Sequence, residues 1–253
     1  MKKIAFITGA SSGIGEATAI SFAAAGYQLI LCARRKDRLE KLKSELFTKY
    51  KTDIFILTFD VQNNNQVQKA IDSLPENWKK INVLINNAGL SLGLSSIEDG
   101  DTNDWETMID TNVKGLLWVT KALIPLLKKS LNPQIINIGS IAGKQTYVMG
   151  NVYCASKHAV AALSDAMRID LLSAEIKVTA IHPGAVETEF SVVRFKGDQT
   201  KANQVYQGFK PLMAADVADS ILYCAGLPPH VNINELTIMP LAQASPMYLN
   251  KTR

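Results

Sequence analysis

Cysteine is scarce in this chain, and the few present form no pattern. Cys32, Cys154 and Cys224 are odd in number and far apart, with no Cys-x-x-Cys spacing. That excludes a disulfide framework and a zinc site as readings and leaves small buried thiols. His158, His182 and His230 are equally scattered and lack carboxylates at ligand spacing, so no metal is implied. No stretch approaches the roughly 20 apolar residues that span a bilayer, so no membrane partner is expected. The start, Met1-Lys2-Lys3-Ile4-Ala5-Phe6, resembles a secretory signal, but glycines follow at once and its apolar region is too short. The expected compartment is the cytoplasm. Internal repeats are missing, as is any linker rich in Pro, Gly or Ser, which predicts one domain over residues 1–253. The positive excess is only +4. Its densest cluster, Arg34-Arg35-Lys36 with Arg38, Lys41 and Lys43, is interleaved with Asp37, Glu40 and Glu45. This describes a solvated helix rather than a nucleic-acid stripe, and no nucleic-acid partner is expected.

What is present is apolar material in a regular alternation. At 47% apolar residues the chain can bury a large core. Short apolar runs at 3–8, 28–32, 54–59, 83–85, 135–138, 178–181 and 235–239 read as buried strands. Helical periodicity falls between them, at 13–25, 38–50, 66–74, 104–128, 152–172 and 215–226. Such alternation predicts βαβ units with right-handed crossovers. The fold class is therefore α/β: a single doubly wound, Rossmann-type domain, with a parallel sheet of about seven strands and helices on both faces. Only residues 187–211 lack clear periodicity, and an irregular stretch of that length predicts a lid or binding loop.

The first strand runs into Thr8-Gly9-Ala10-Ser11-Ser12-Gly13-Ile14-Gly15 and then a helix. A glycine loop at a helix N-terminus presents backbone N–H groups and the positive end of the helix dipole to a pyrophosphate. Gly9 lets the chain turn, and Gly13 and Gly15 permit close approach to ligand and sheet. The second strand ends at Cys32-Ala33-Arg34-Arg35, without the acidic residue that usually bonds an NAD ribose. Guanidinium forks suit a phosphate, so Arg34 and Arg35 predict the 2′-phosphate of NADP.

Tyr153 and Lys157 stand one helical turn apart, with Ser140 thirteen residues upstream. A free phenol, of pKa about 10, is a poor base near neutrality. A neighbouring ammonium is expected to lower that value, while the Ser140 hydroxyl holds the substrate oxygen. Asn137-Ile138-Gly139-Ser140 and Asn86-Asn87-Ala88-Gly89 each close a strand at one sheet edge, and Asn112 lies in the neighbouring helix.

With Pro183-Gly184, Val186 and Thr188 added, these motifs resemble the short-chain dehydrogenase/reductase family over essentially the whole chain. The resemblance implies that Tyr153 is the acid/base, Ser140 orients substrate, and Lys157 also holds the nicotinamide ribose. It implies that Asn112 supports a water relaying protons to Lys157. Asp60 and Val61 would flank the adenine, Asn87, with Ala88 and Gly89, the ribose, and the segment 183–188 the nicotinamide amide. Dimers through the helices at 104–128 and 152–172, and often tetramers through the C-terminal strand, are implied as well.

The runs Asp104-Trp105-Glu106-Thr107-Met108-Ile109-Asp110-Thr111-Asn112 and Val193-Arg194-Phe195-Lys196-Gly197-Asp198, with Asn232-Ile233-Asn234-Glu235 through Met239-Pro240, are similar to NADP-dependent 3-hydroxy acid dehydrogenases. These imply a small substrate of the serine, allo-threonine, 3-hydroxyisobutyrate or 3-hydroxypropionate/malonic semialdehyde type. Its carboxylate needs a cation, which Arg194 or Lys196 would supply, Arg194 being preferred for its fork. The alternatives are a carbonyl reductase for larger hydrophobic ketones or acyl thioesters, and a non-catalytic NADP-sensing protein.

Overall fold

The computed structural model describes residues 2–251. Met1, Thr252 and Arg253, the ends of the expected domain, lie outside the described residues. Strands β1 (Ile4–Thr8), β2 (Gln28–Ala33) and β3 (Ile54–Thr58) alternate with helices α1 (Gly13–Ala24), α2 (Lys36–Tyr50) and α3 (Asn64–Asp72). Next come β4 (Val83–Asn86), α4 (Thr102–Ile109), α5 (Leu116–Leu127), β5 (Gln134–Ile138), α6 (Asn151–Asp170) and β6 (Lys177–Pro183). The C-terminal part holds β7 (Val186–Glu187), α7 (Phe190–Arg194), α8 (Gln199–Gln204), β8 (Leu212–Met213), α9 (Ala214–Ala225) and β9 (Glu235–Ile238). Seven strands form one parallel sheet in the order β3-β2-β1-β4-β5-β6-β9. Among the described residues no helix is long and apolar enough to cross a membrane.

Strand residues are buried on alternate faces against two separate cores. Phe6, Ile30, Leu84, Ile135 and Val178 face α3, α5 and α6, where Val67, Val119, Leu123 and Val160 meet them. Ile7, Leu31, Ile85, Ile136 and Ile181 face α1, α2 and α9, against Phe22, Leu39, Val217 and Ile221. Each fully buried side chain of this size contributes about 1.5–3 kcal/mol. Because both faces are covered, the strands read as continuous apolar runs, and for that reason the sequence locates them well.

Two expectations change. The helix expected over 104–128 is interrupted by a π-helical turn at Asp110–Gly115, and Pro125 sits inside its second half. The extra residue in that turn is invisible to a 3.6-residue period. The stretch 187–211 is not irregular: it carries α7 and α8 and is pinned at its base by the parallel pairs Val186↔Leu212 and Glu187↔Met213. Helices this short gain little from propensity and depend on tertiary contacts, so their sequence carries no clear period.

Strand order reverses between β1 and β4, so the connections leaving their C-terminal ends run to opposite sides and open a crevice. Thr8 ties the two loops there: its hydroxyl oxygen accepts from the backbone N–H groups of Asn87 (3.0 Å) and Ala88 (2.9 Å).

Candidate active site

The crevice holds a cavity of about 350 Å³. Of the residues expected at the site, all but Gly15, Asn112, Arg194 and Lys196 line it.

The phosphate cradle is built from backbone. Gly9 (φ +65°) and Gly13 (φ +57°) occupy the left-handed region that favours glycine. A Cβ on Gly15 would fall 2.5 Å from Asn87 Nδ2 and nearer still to the Gly9 carbonyl, so Gly15 packs the loop rather than facing the cavity. Ser12 takes the N-cap of α1 without capping it through its side chain. The first N–H groups of α1 are thus left for a ligand, as an anion site requires. Ser11 and Ser12 instead accept from Arg35: Nη2 lies 3.1 Å from Ser11 Oγ and 2.7 Å from Ser12 Oγ. Arg34, largely exposed, meets Asp60 at 3.4 Å. Two participants were not anticipated: Arg38, and Glu189, whose carboxylate bridges Arg38 Nη1 (2.6 Å) and Arg35 Nη1 (3.0 Å). These arginines hold the Glu189 carboxyl below its ordinary range. The residues present fit an NADP-type dinucleotide: an uncapped helix start, a loop that side chains would fill, and cations beside it.

Tyr153 and Lys157 lie buried on one face of α6. Lys157 is anchored to backbone one helical turn from Tyr153. Its Nζ donates to the Ile138 carbonyl at 2.9 Å, and burial pushes its pKa down to about 8. Burial raises the Tyr153 phenol, and the opposing pulls come from Arg194 and from a hydrogen bond with Ser140. Asn112, at the π-turn, faces the loop after β4. Its Nδ2 donates to Leu90 O (2.8 Å) and Ser156 Oγ (3.0 Å), and its Oδ1 accepts from Leu90 N (2.9 Å). Both amide protons are used, so this side chain braces the loop behind Gly89.

Arg194 enters from α7. Nε donates to Ser91 Oγ (3.1 Å) and Nη2 to Tyr147 OH (2.8 Å). Its guanidinium carbon lies 5.1 Å from the ring centres of both Tyr153 and Phe190 and 5.8 Å from that of Tyr147. Three rings therefore surround one cation within cation–π range. Ser91, Tyr147 and Phe190 were not anticipated, since no fixed spacing links them to Arg194 or to Tyr153. Lys196 is drawn away from the crevice, pairing with Asp104 (2.9 Å) and Asp101 (3.5 Å).

The family model described as short chain dehydrogenase matches residues 3–237. A sulfoacetaldehyde reductase of Chromohalobacter salexigens is 46% identical over 245 residues, 96% of this chain and 96% of that protein. An NADP-dependent 3-hydroxy acid dehydrogenase of Escherichia coli strain K12 is 43% identical over 242 residues, 95% of this chain and 96% of that protein. The closed form of a serine dehydrogenase complexed with NADP+ superimposes with a TM-score of 0.92 at 43% identity, covering 99% of each chain.

Proposed function

The chain belongs to the short-chain dehydrogenase family, and from that premise we propose an NADP-dependent oxidoreductase acting between the hydroxyl and carbonyl forms of a small 3-hydroxy acid. The observation that carries the substrate class is Arg194, held over the Tyr153 ring by Ser91 and Tyr147. A cation fixed beside the proton donor suits a substrate whose negative group lies one or two carbons from its reacting oxygen.

Bound NADP(H) supplies or accepts the hydride. Gly9, Ser11, Ser12, Gly13 and Ile14 would hold its pyrophosphate, Arg34 and Arg35 its 2′-phosphate, and Asp60 and Val61 its adenine. Asn87, Ala88, Gly89 and Lys157 would hold ribose, and Pro183, Gly184, Val186 and Thr188 the nicotinamide end. Tyr153 gives its phenolic proton to the substrate oxygen in reduction and takes the hydroxyl proton in oxidation. Burial keeps the phenol protonated, while Arg194 and Ser140 favour its ionised form. Ser140 donates to the same substrate oxygen as charge collects there. The segment 187–211, which carries Phe190 into the crevice and Arg194 against the Tyr153 ring, serves as the lid.

A sulfonate suits the same cation, and the 46% identity to a sulfoacetaldehyde reductase favours it as a second reading. Larger hydrophobic ketones fit less well, because they bring no negative group to the Arg194 cation. A non-catalytic role is disfavoured by the intact Ser140, Tyr153 and Lys157 set. The assembly proposed is a homo-oligomer: Leu117 on α5, Ile169 on α6 and Leu172 just beyond it are exposed apolar side chains a second copy would cover.

The test is a rate survey of serine, 3-hydroxyisobutyrate, 3-hydroxypropionate, malonic semialdehyde and sulfoacetaldehyde with NADP(H) and NAD(H) in parallel. Turnover with at least one small anion, faster with the phosphorylated cofactor, is expected. Turnover confined to uncharged ketones would overturn the reading.

A further inference from the structure

Glu189 sits where the lid meets the cofactor crevice. It is the N-cap of α7, one residue before Phe190 and five before Arg194. Its carboxylate engages two guanidinium groups, and one of these, Arg35, also spends Nε and Nη2 on the serine hydroxyls of the glycine loop. All three nitrogens of Arg35 therefore have partners before any phosphate arrives. The side chains of Arg35, Arg38 and Glu189 are 40%, 42% and 45% exposed, so water and ions reach the cluster. The arrangement, one anion between two arginines beside the loop, is what an incoming ribose phosphate would itself require.

We propose that Glu189 is an internal stand-in for the 2′-phosphate of NADP(H): it occupies Arg35 and Arg38 while the cofactor is absent and yields them to that phosphate. The inference rests on the reading of Arg34 and Arg35 as the phosphate site. Two consequences follow from like charge and shared donors. Phosphate and carboxylate compete for the same guanidinium groups, so Glu189 lowers the affinity for the phosphorylated cofactor and leaves that for the unphosphorylated one nearly unchanged. The phosphate also frees the first turn of α7, whereas NAD(H) leaves the clamp closed. Cofactor choice at one end of the crevice is thereby coupled to the element that places Arg194 at the other.

The probes are 2′,5′-ADP and 5′-AMP, which carry the adenosine end with and without the distinguishing phosphate and do not reach Tyr153. Titration calorimetry on the wild type, Glu189→Gln and Arg35→Ala separates the parts. Glu189→Gln is expected to tighten 2′,5′-ADP by about three- to tenfold and to keep 5′-AMP within about twofold, which also reports an intact site. Hydrogen exchange over residues 186–194 is expected to rise when 2′,5′-ADP binds the wild type, and to be already high and unresponsive in Glu189→Gln. If Arg35→Ala loses 2′,5′-ADP while Glu189→Gln binds it no better than the wild type, the stand-in is refuted and the phosphate site survives. If Arg35→Ala binds 2′,5′-ADP normally, the phosphate site and the inference built on it both fall.

Discussion

The two halves of the crevice are built by different means. The cofactor half is made of backbone at the ends of β1, β2 and β4, locked by glycines and by the Thr8 hydroxyl. The substrate half is made of side chains from three separate loops and helices, converging on Arg194. Backbone at a sheet edge inherits the rigidity of the sheet. Side chains on a segment anchored by one short strand pair can be exchanged without disturbing the fold. One scaffold can then keep its cofactor chemistry while the substrate varies.

That contrast predicts different failures in the two halves. The largest effect falls where they meet. Tyr153→Phe is expected to lower turnover by about 10²–10⁴-fold while leaving the Kd for NADPH within a few-fold, as read by steady-state rates and fluorescence titration. A variant that keeps its turnover would remove the tyrosine from the chemistry. In the cofactor half, Gly15→Ala forces a methyl group against the Gly9 carbonyl and the Asn87 amide and should cost about 1–3 kcal/mol of stability, seen as an earlier thermal transition. Unchanged stability there would break the claim that this half is rigidly packed.

Lys157 gives a smaller effect with a defined sign. The folded protein releases its proton near pH 8, and the ordinary lysine value is 10.5. Between these values the unfolded chain binds more protons, so this group adds stability as pH rises. Relative to Lys157→Met, the wild type should gain about 1–2 kcal/mol between pH 8 and 9.5 in denaturant titrations. A flat difference would show the ammonium to be better solvated than its burial implies. The smallest effect belongs to Lys196, held by Asp101 and Asp104 away from the crevice. Lys196→Ala should change the KM for a small acid by less than about threefold. A larger rise would move substrate binding outward along the lid.

The same contrast explains what was legible in the sequence. Gly9, Gly13 and Gly15 follow an apolar strand at short spacing, and buried strands read as apolar runs, so the fold and the glycine loop are legible in local pattern. Tyr153 and Lys157 share a helical turn and were found by periodicity. Ser91, Tyr147 and Arg194 are brought together only by tertiary folding, and no spacing joins them. The π-turn at Asp110–Gly115 escaped because one extra residue leaves the helical pattern intact on either side. The expected ammonium–phenol pairing missed the Ile138 carbonyl, a backbone acceptor that side-chain chemistry does not reveal. The partners of Arg34 and Arg35, Asp60 and Glu189, lie 26 and 154 residues away, so the sequence alone shows both arginines as open to phosphate.

The central claim is that Arg194 holds the charged end of a small acid against Tyr153. Its most direct test is the kinetics of Arg194→Ala on the best acid substrate and on an uncharged alcohol of the same size. A loss of kcat/KM of about tenfold or more on the acid, with the alcohol unaffected, is the predicted result. Equal loss on both, or none on the acid, would contradict it.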